Sequence, residues 1–299
     1  MEEGRGIDER LFAGPAGWSY ADWEGPVYQK GRGTDRLLFI ARYFDCVELN
    51  SSFYRTPSTG MVAGWAARLA DAGRFRMCVK VSGGFTHERD LDPSRLEEFM
   101  ARFDPLAAED LLGPFLLQFP WSFRKSDESS EYLRRLSDAA SGRDTVVELR
   151  HGSWNDPSTF DLLAGLGLAW CNIDQPQVGC SVPPTSEATV PGFSYIRMHG
   201  RNSRDWFRKG AGRDARYDYL YSPAELEEWA GRARDLLSGV SRLFVITNNH
   251  YRGQAVANAL QLRSILEGRA LDCPPGLARE YPEIEKYVRR GPGTGLLFS

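Results

Sequence analysis

Apolar residues in this chain follow two recurring patterns. Some form short dense runs, and others recur every three or four positions over longer stretches. The first pattern suits a buried strand and the second an amphipathic helix. The dense runs predict strands at Leu11–Ser19, Cys46–Asn50, Phe75–Ser82, Phe115–Pro120, Thr145–Arg150, Ala169–Asp174, Phe193–His199 and Arg242–Asn248. Helical spacing predicts Asp35–Phe44, Pro57–Ala72, Pro93–Glu109, Ser130–Ala140, Pro157–Leu166, Pro223–Leu237 and Ala255–Glu267. After the sixth strand, Gln175–Gly192 is rich in Pro, Ser and Thr and predicts a loop where a helix would complete the pattern.

Strands alternating with helices argue for a parallel sheet, and eight of them for one closed (β/α)8 unit, an α/β TIM barrel. An open doubly wound sheet would want a Gly-rich phosphate turn, and neither GxGxxG nor GxxxxGK[ST] occurs. A length of 299 residues fits a single domain, and an apolar share of 42% fills its core. Thr56-Pro57, Asp92-Pro93, Asp156-Pro157 and Ser222-Pro223 each read as a capping oxygen before a first-turn proline. Two segments one hundred residues apart, VELNSSFYRTPS from Val47 and VELRHGSWNDPS from Val147, share this plan. Each reads as a strand, a turn and a helix start, and each carries a glutamate inside its apolar strand.

Side chains alternate across a strand, so apolar helix-facing positions leave the others pointing into the barrel. That rule sends Glu48 and Asn50, Lys80 and Ser82, Gln118, Glu148 and Arg150, Asn172 and Asp174, and Arg197 and His199 inward. It does not choose a face for the eighth strand, which carries Asn248 and Asn249. Most of these residues sit near the C-terminal strand ends, where barrels of this kind place their sites. All four histidines, His87, His151, His199 and His250, fall at or just past strand ends. Imidazole suits proton transfer and metal binding. Aromatics crowd the same rim: Trp18, Tyr20, Trp23, Phe53, Tyr54, Phe85, Trp121, Phe123, Trp154 and Tyr251, with Trp206, Phe207, Tyr217, Tyr219 and Tyr221 after the seventh strand. The plain alternative is a closed ion-pair network with packed loops and no chemistry.

The net charge of −3 gives no global basic field for duplex nucleic acid. Five cysteines without CxxC or zinc-finger spacing read as reduced and structural. The start, MEEGRGIDER, lacks a signal peptide's apolar core, and no apolar run approaches a membrane span. A cytoplasmic setting is expected.

GWSYADW, VELNSSFYRTPS, FRMCVKVSGGFTHER, LLQFPWSF, VVELRHGSW, YIRMHGRN, RYDYLYS and NNHYRGQAVANA form an ordered set. As a set they resemble the DUF72 (YecE-like) family from about Leu11 to Leu266. The resemblance implies a TIM barrel and brings no reaction with it. It leaves 267–299 as a C-terminal extension, expected to be a surface wrap or a loose end.

The leading functional expectation is an acid/base enzyme, a hydrolase or isomerase, acting on a small polar anion such as a phosphorylated sugar, nucleotide or nucleic-acid end. Glu48 or Glu148 would be the base and His199 the acid. Asn50, Tyr54, Lys80, His87, Gln118, Arg150, His151, Trp154, Asp174, Arg197, Arg201, Asn248, Asn249 and His250 would bind substrate, the guanidiniums gripping the anion bidentately. No cofactor is required. A second reading is a divalent-metal enzyme with Mn, Mg or Zn on Glu148, Asp174 and His199, although Arg150 beside Glu148 would repel a cation. A third is a non-catalytic module for a nucleotide or single-stranded nucleic acid. A retaining glycosidase on Glu48 and Glu148 would need carboxyls about 5 Å apart, and the two belong to nearly opposite strands.

Overall fold

All eight predicted strands form, in a computed structural model that describes residues 8–290 apart from 32, 207 and 209–212. They are β1 (Leu11–Pro15), β2 (Cys46–Leu49), β3 (Arg76–Lys80), β4 (Leu112–Gln118), β5 (Thr145–Glu148), β6 (Ala169–Asp174), β7 (Ser194–Met198) and β8 (Leu243–Thr247). Each pairs in parallel with its neighbour in the order β1-β8-β7-β6-β5-β4-β3-β2. The two ends of that sheet meet. Ala16 bridges Glu48 in parallel, and the Gly17 N–H donates to the Glu48 carbonyl over 2.8 Å. A nearly closed (β/α)8 barrel results.

Closure depends on close backbone approach. A Cβ on Gly14 would lie 1.8 Å from the Cys46 carbonyl oxygen, so only glycine lets β1 dock beside β2. Below the polar residues the barrel is plugged by rings. Phe12 stacks on Phe244 at 5.0 Å, and Tyr195 stacks on Phe244 at 6.1 Å.

The outer layer follows the strands. It comprises α1 (Arg36–Ala41), α2 (Thr59–Leu69), α3 (Pro93–Ala101), α4 (Asp104–Ala108), α5 (Asp127–Ala139), α6 (Pro157–Gly165), the short α7 (Ser203–Trp206) and α8 (Arg213–Arg216), α9 (Pro223–Leu237) and α10 (Gln254–Glu267). The predicted helix Pro93–Glu109 is two helices, because Pro105 cannot continue α3 and opens α4 instead. Asp92, Asp156 and Ser222 cap as expected, Ser222 in a reciprocal box with Glu225. Thr56-Pro57 does not cap. The helix begins two residues later, and the Ser58 hydroxyl accepts from Met61 N–H instead. Both copies of the repeat therefore run strand, 3-10 turn (Ser51–Phe53 and Gly152–Trp154), helix. Gln175–Gly192 carries no helix, as its composition predicts.

The extension packs rather than wandering. β9 (Leu271–Cys273) pairs in parallel with β10 (Val288–Arg290), and α11 (Leu277–Glu280) lies between them. Leu271, Cys273, Leu277, Ile284 and Tyr287 are buried there. This covers the outer side of α10, whose residues Ala255–Ser264 are all buried. Residues 291–299 lie outside the described residues. No helix among the described residues is long and apolar enough to cross a membrane.

Gly14→Ala should lose at least about 2 kcal/mol, since the new methyl meets backbone rather than a mobile side chain. Urea denaturation against wild type measures the loss. An unchanged midpoint would contradict the closure described for β1 and β2.

Candidate active site at the C-terminal mouth of the barrel

Strand register decides which side chains share the interior. Glu48 lies beside Cys78, Gln118 beside Glu148, Ile173 beside Arg197, and Arg197 beside Ile246. Residues side by side in a ladder point to the same face. Glu48, Gln118, Glu148 and Arg197 therefore face inward, as predicted, and the eighth strand turns Asn248 inward and Asn249 outward.

Arg197 is the hub. Its side chain is 1% exposed, and a guanidinium carries five N–H donors and no acceptor. Nε and Nη2 grip Glu48 at 3.0 and 2.7 Å. Nη1 donates to Glu148 Oε2 at 2.9 Å and to Gln118 Oε1 at 3.4 Å. The second hydrogen on Nη2 reaches Asn50 Oδ1 at 3.3 Å. All five donors are thus answered. The Tyr195 hydroxyl donates to Glu48 Oε2 at 2.8 Å.

A donor-only group fixes the direction of every bond downstream of it. Asn50 accepts from Arg197 with its oxygen, so its amide nitrogen donates to Asn248 Oδ1 at 3.3 Å. The Asn248 nitrogen then donates to His199 Nδ1 at 3.0 Å. Nε2 meets Glu148 Oε1, an acceptor, at 3.1 Å and Arg150 Nη2, a donor, at 3.3 Å. With Nδ1 accepting from Asn248, the hydrogen of the neutral imidazole sits on Nε2, and the shorter contact, to Glu148, is the one it satisfies. The ring closes on Arg197 through Glu148. Arg150 Nε adds a 2.7 Å bond to Glu148 Oε1.

Charge follows from this arrangement. Burial raises the Glu148 carboxyl, but Arg150 and Arg197 outweigh it and hold the group well below the ordinary range. Burial also penalises charge on Arg197, and Glu48 and Glu148 more than restore it. His199 is pushed down to about 3, by burial first, with Glu148 opposing and Arg150 assisting. Lys80 is pushed down to about 7, by burial and then by the positive charge of Arg197. Its amine donates to Gln118 Oε1 at 2.6 Å and rests 4.2 Å from the centre of the Phe53 ring. Unlike the two glutamates, Lys80 is partly exposed, as is Asn50.

The walls are aromatic. His87 is exposed, packs edge-on to Phe53 at 4.8 Å, and is lowered to about 4 by burial and by Lys80. Tyr54 is 76% exposed beside the same ring. Across the mouth His250 stacks on Tyr20 at 4.5 Å and meets Tyr217 at 5.1 Å. Phe207 and the side chain of Trp206 lie outside the described residues.

Six sequence-predicted members lie elsewhere. Alternation along the sixth strand predicts Asn172 and Asp174 inward, yet their ladder partners are Ile196 and Met198, which pack against α9. All of β6 is buried, so apolarity could not mark its helix-facing side. Asn172 instead replaces the missing helix with hydrogen bonds, accepting from Glu187 N at 2.8 Å and Thr185 Oγ1 at 2.8 Å. Asp174 is held by Arg201 Nε at 2.9 Å, and Arg201 also reaches Glu225 and Glu228 of α9. Asp174 and Arg201 thus tie the loop after β7 to the outer layer. Asn249 donates to Tyr219 O and Asn258 Oδ1 there, both at 2.8 Å. Trp154 is fully buried, its indole N–H on the Phe123 carbonyl at 2.8 Å. His151 accepts from Ser153 N–H and caps the turn after β5, edge-on to Trp121.

Asp174 is therefore on the opposite face of the sheet from Glu148 and His199, and that metal set does not assemble. No group of three or more His, Cys, Asp or Glu is placed to hold a metal among the described residues. The glycosidase arrangement fails too, because the Arg197 guanidinium occupies the space between Glu48 and Glu148. Sequence reasoning missed Tyr195, although the same alternation that turned Arg197 inward also turns the residue two before it. It also missed the interior placement of Cys46, Cys78 and Cys171.

An eight-stranded α/β barrel with a charged, hydrogen-bonded floor and aromatic walls at its C-terminal mouth is the class defined so far. The chain matches the family described as "Protein of unknown function DUF72" over residues 12–282. It belongs to that family, and the match runs past Leu266 into the packed extension. UPF0759 protein YunF of Bacillus subtilis is 28% identical, over 86% of this chain and 95% of that one. The crystal structure of a DUF72 family protein from Thermotoga maritima is 34% identical with a TM-score of 0.78, covering 86% of this chain and 99% of that one. Another, from Enterococcus faecalis, is 25% identical with a TM-score of 0.76, covering 86% and 95%.

Arg197→Met should cost about 3–5 kcal/mol, because two buried carboxylates lose their shared cation; denaturant titration at neutral pH checks it. Stability should also fall with acid. The unfolded chain protonates His199 first, at its ordinary 6.5, whereas the folded value is about 3. This contribution is complete above 6.5 and lost as pH falls toward 3. Glu148 adds a further loss below its ordinary 4.5. His199→Gln should remove one proton's slope, about 1.4 kcal/mol per pH unit, between those limits.

Proposed function

We propose that this chain is an acid/base enzyme whose substrate is a small polar anion bound at the barrel mouth. The observation that carries this reading is the pairing of a rigid buried frame with two partly accessible cationic groups above it. Arg150 is 12% exposed at its side chain, and Lys80 is partly exposed beside it with a proton that is labile near pH 7. With Lys80 charged, Glu48, Lys80, Glu148, Arg150 and Arg197 sum to one positive charge, which suits an anion. A buried ion-pair network is a poor way merely to fill a barrel, since apolar layers fill it at lower desolvation cost.

The roles differ from those expected from sequence. Glu48 and Glu148 are 0% exposed and fully engaged by Arg197, Tyr195, Arg150 and His199. His199 is also 0% exposed and held neutral. In this reading these three form the frame, and Lys80 is the group that changes protonation during the reaction. Arg150, with Nε on Glu148 and Nη2 3.3 Å from His199 Nε2, holds the anion through the part of its guanidinium that meets solvent, and Phe53, Tyr54, His87, His250 and Tyr217 line the approach. Isomerisation and hydrolysis of phosphorylated or carboxylated compounds both fit. The five free cysteines suit a reducing, cytoplasmic setting.

Arg150→Ala should weaken inorganic phosphate or sulfate binding by about tenfold, measured calorimetrically; unchanged affinity would remove the anion site. Lys80→Met gives a second test. The unfolded amine keeps its proton up to 10.5 and the folded one only to about 7. Lys80 therefore costs stability below pH 7, and that cost disappears as pH rises to 10.5. The variant should melt higher than wild type at pH 6, and the gap should narrow toward pH 10.

A further inference from the structure

We propose that Lys80 is a nucleophile that forms an imine with the carbonyl group of an anionic substrate; this deepens the anion-site reading and rests on it. The geometry supplies what such a step needs. The amine stands at the C-terminal end of β3, partly open to the mouth, with Gln118 on one side and the face of Phe53 on another. A guanidinium for the substrate's carboxylate or phosphate, Arg150, stands two residues past the end of β5, with its Nε on the inward-facing Glu148. The groups that set the charge on the amine are Arg197 and Arg150, which disfavour its ammonium form, and Glu148 and Glu48, which favour it. His87 faces it from the rim and is itself lowered by Lys80. An amine uncharged near neutral pH is the form that attacks carbonyls, and desolvation beside other cations is how such lysines are activated.

The step balances without a cofactor. The Nζ lone pair attacks the carbonyl carbon, a C–N bond forms, and the C=O π electrons move to oxygen. Both amine protons pass through solvent at the open mouth to that oxygen. The C–O bond then breaks, water departs, and a C=N bond remains. A proton carrier alone needs no primary amine, since a carboxylate or imidazole serves equally. A neutral lysine beside a guanidinium fits a carbonyl compound with an anionic end, a 2-oxo acid or a sugar phosphate. The frame around Glu148 and His199 then has a positioning part: it fixes Arg197 and Arg150, and through them helps bring the amine down to about 7, where the charged form that draws in the anion and the uncharged form that attacks coexist.

The chain has five lysines, Lys30, Lys80, Lys125, Lys209 and Lys286, so the reacting one is easily mapped. The full chain is incubated at neutral pH with pyruvate or dihydroxyacetone phosphate, sodium borohydride is added, and adducts are located by peptide mass spectrometry. The expected result is a reduced adduct at Lys80, at least about tenfold above the other lysines, absent in Lys80→Arg and suppressed by inorganic phosphate. No Lys80 adduct with either compound, while phosphate still binds, overturns the imine and spares the anion site. A Lys80 adduct indifferent to phosphate and to Arg150→Ala overturns the anion site itself. Competitive acetylation of the wild-type chain needs no variant. Lys80 should label with a midpoint near pH 7, and a midpoint near that of Lys30 overturns the proposal.

Discussion

A buried guanidinium must have every donor answered, and Arg197 meets that demand by recruiting residues from three other strand ends. Glu48 and Asn50 come from the second strand unit, Gln118 from the fourth and Glu148 from the fifth. Asn248 enters from the eighth at one remove. Because arginine only donates, the polarity of the ring is set at its source, and the imidazole tautomer at its far end is a consequence rather than a choice. The same cation helps hold Glu148 ionised and helps push Lys80 toward neutrality. Remove it, and the carboxylates, the tautomer and the lysine lose their definition together.

The mouth thereby separates into two layers with different physical duties. The lower layer is buried and densely hydrogen-bonded, and Glu148, Arg197 and His199 are each held far from their ordinary titration range. The upper layer, Lys80, Arg150 and the aromatic rim, meets solvent and holds the group whose charge is closest to balance. Buried polar networks of this sort specify geometry more than they stabilise a fold. A hydrophobic plug of Phe12, Tyr195 and Phe244 lies directly beneath, so the network is confined to the end of the barrel that faces the loops.

The architecture was legible because each strand and helix announced itself through its own period, and local rules add up in a parallel barrel. The inward set on β2, β3, β4, β5 and β7 was legible for the same reason, since each of those strands carried a polar alternation. β6 was not, because it is buried on both sides and its outward Asn172 and Asp174 serve a loop and α9 rather than a cavity. Sequence alternation reports which face is polar, not which face is the interior. The opposite charge shifts of Glu148 and Lys80 were likewise hidden. They depend on how many cations surround each group, which no single strand reveals. The extension past Leu266 looked loose because its short elements have no period of their own; they are ordered by packing on α10.

The seam between β1 and β2 has a consequence for how the molecule comes into being. Glu48, which anchors the network, is the residue whose carbonyl accepts from Gly17 and whose backbone bridges Ala16. β1, in turn, lies along β8, more than two hundred residues later in the chain. The last stave to be fitted is thus also a wall of the site, and contacts of such long sequence separation form late and slowly. Without β1 in place, Glu48 loses the backbone partners Ala16 and Gly17 that fix its strand at the seam. The arrangement exists only when the cylinder shuts.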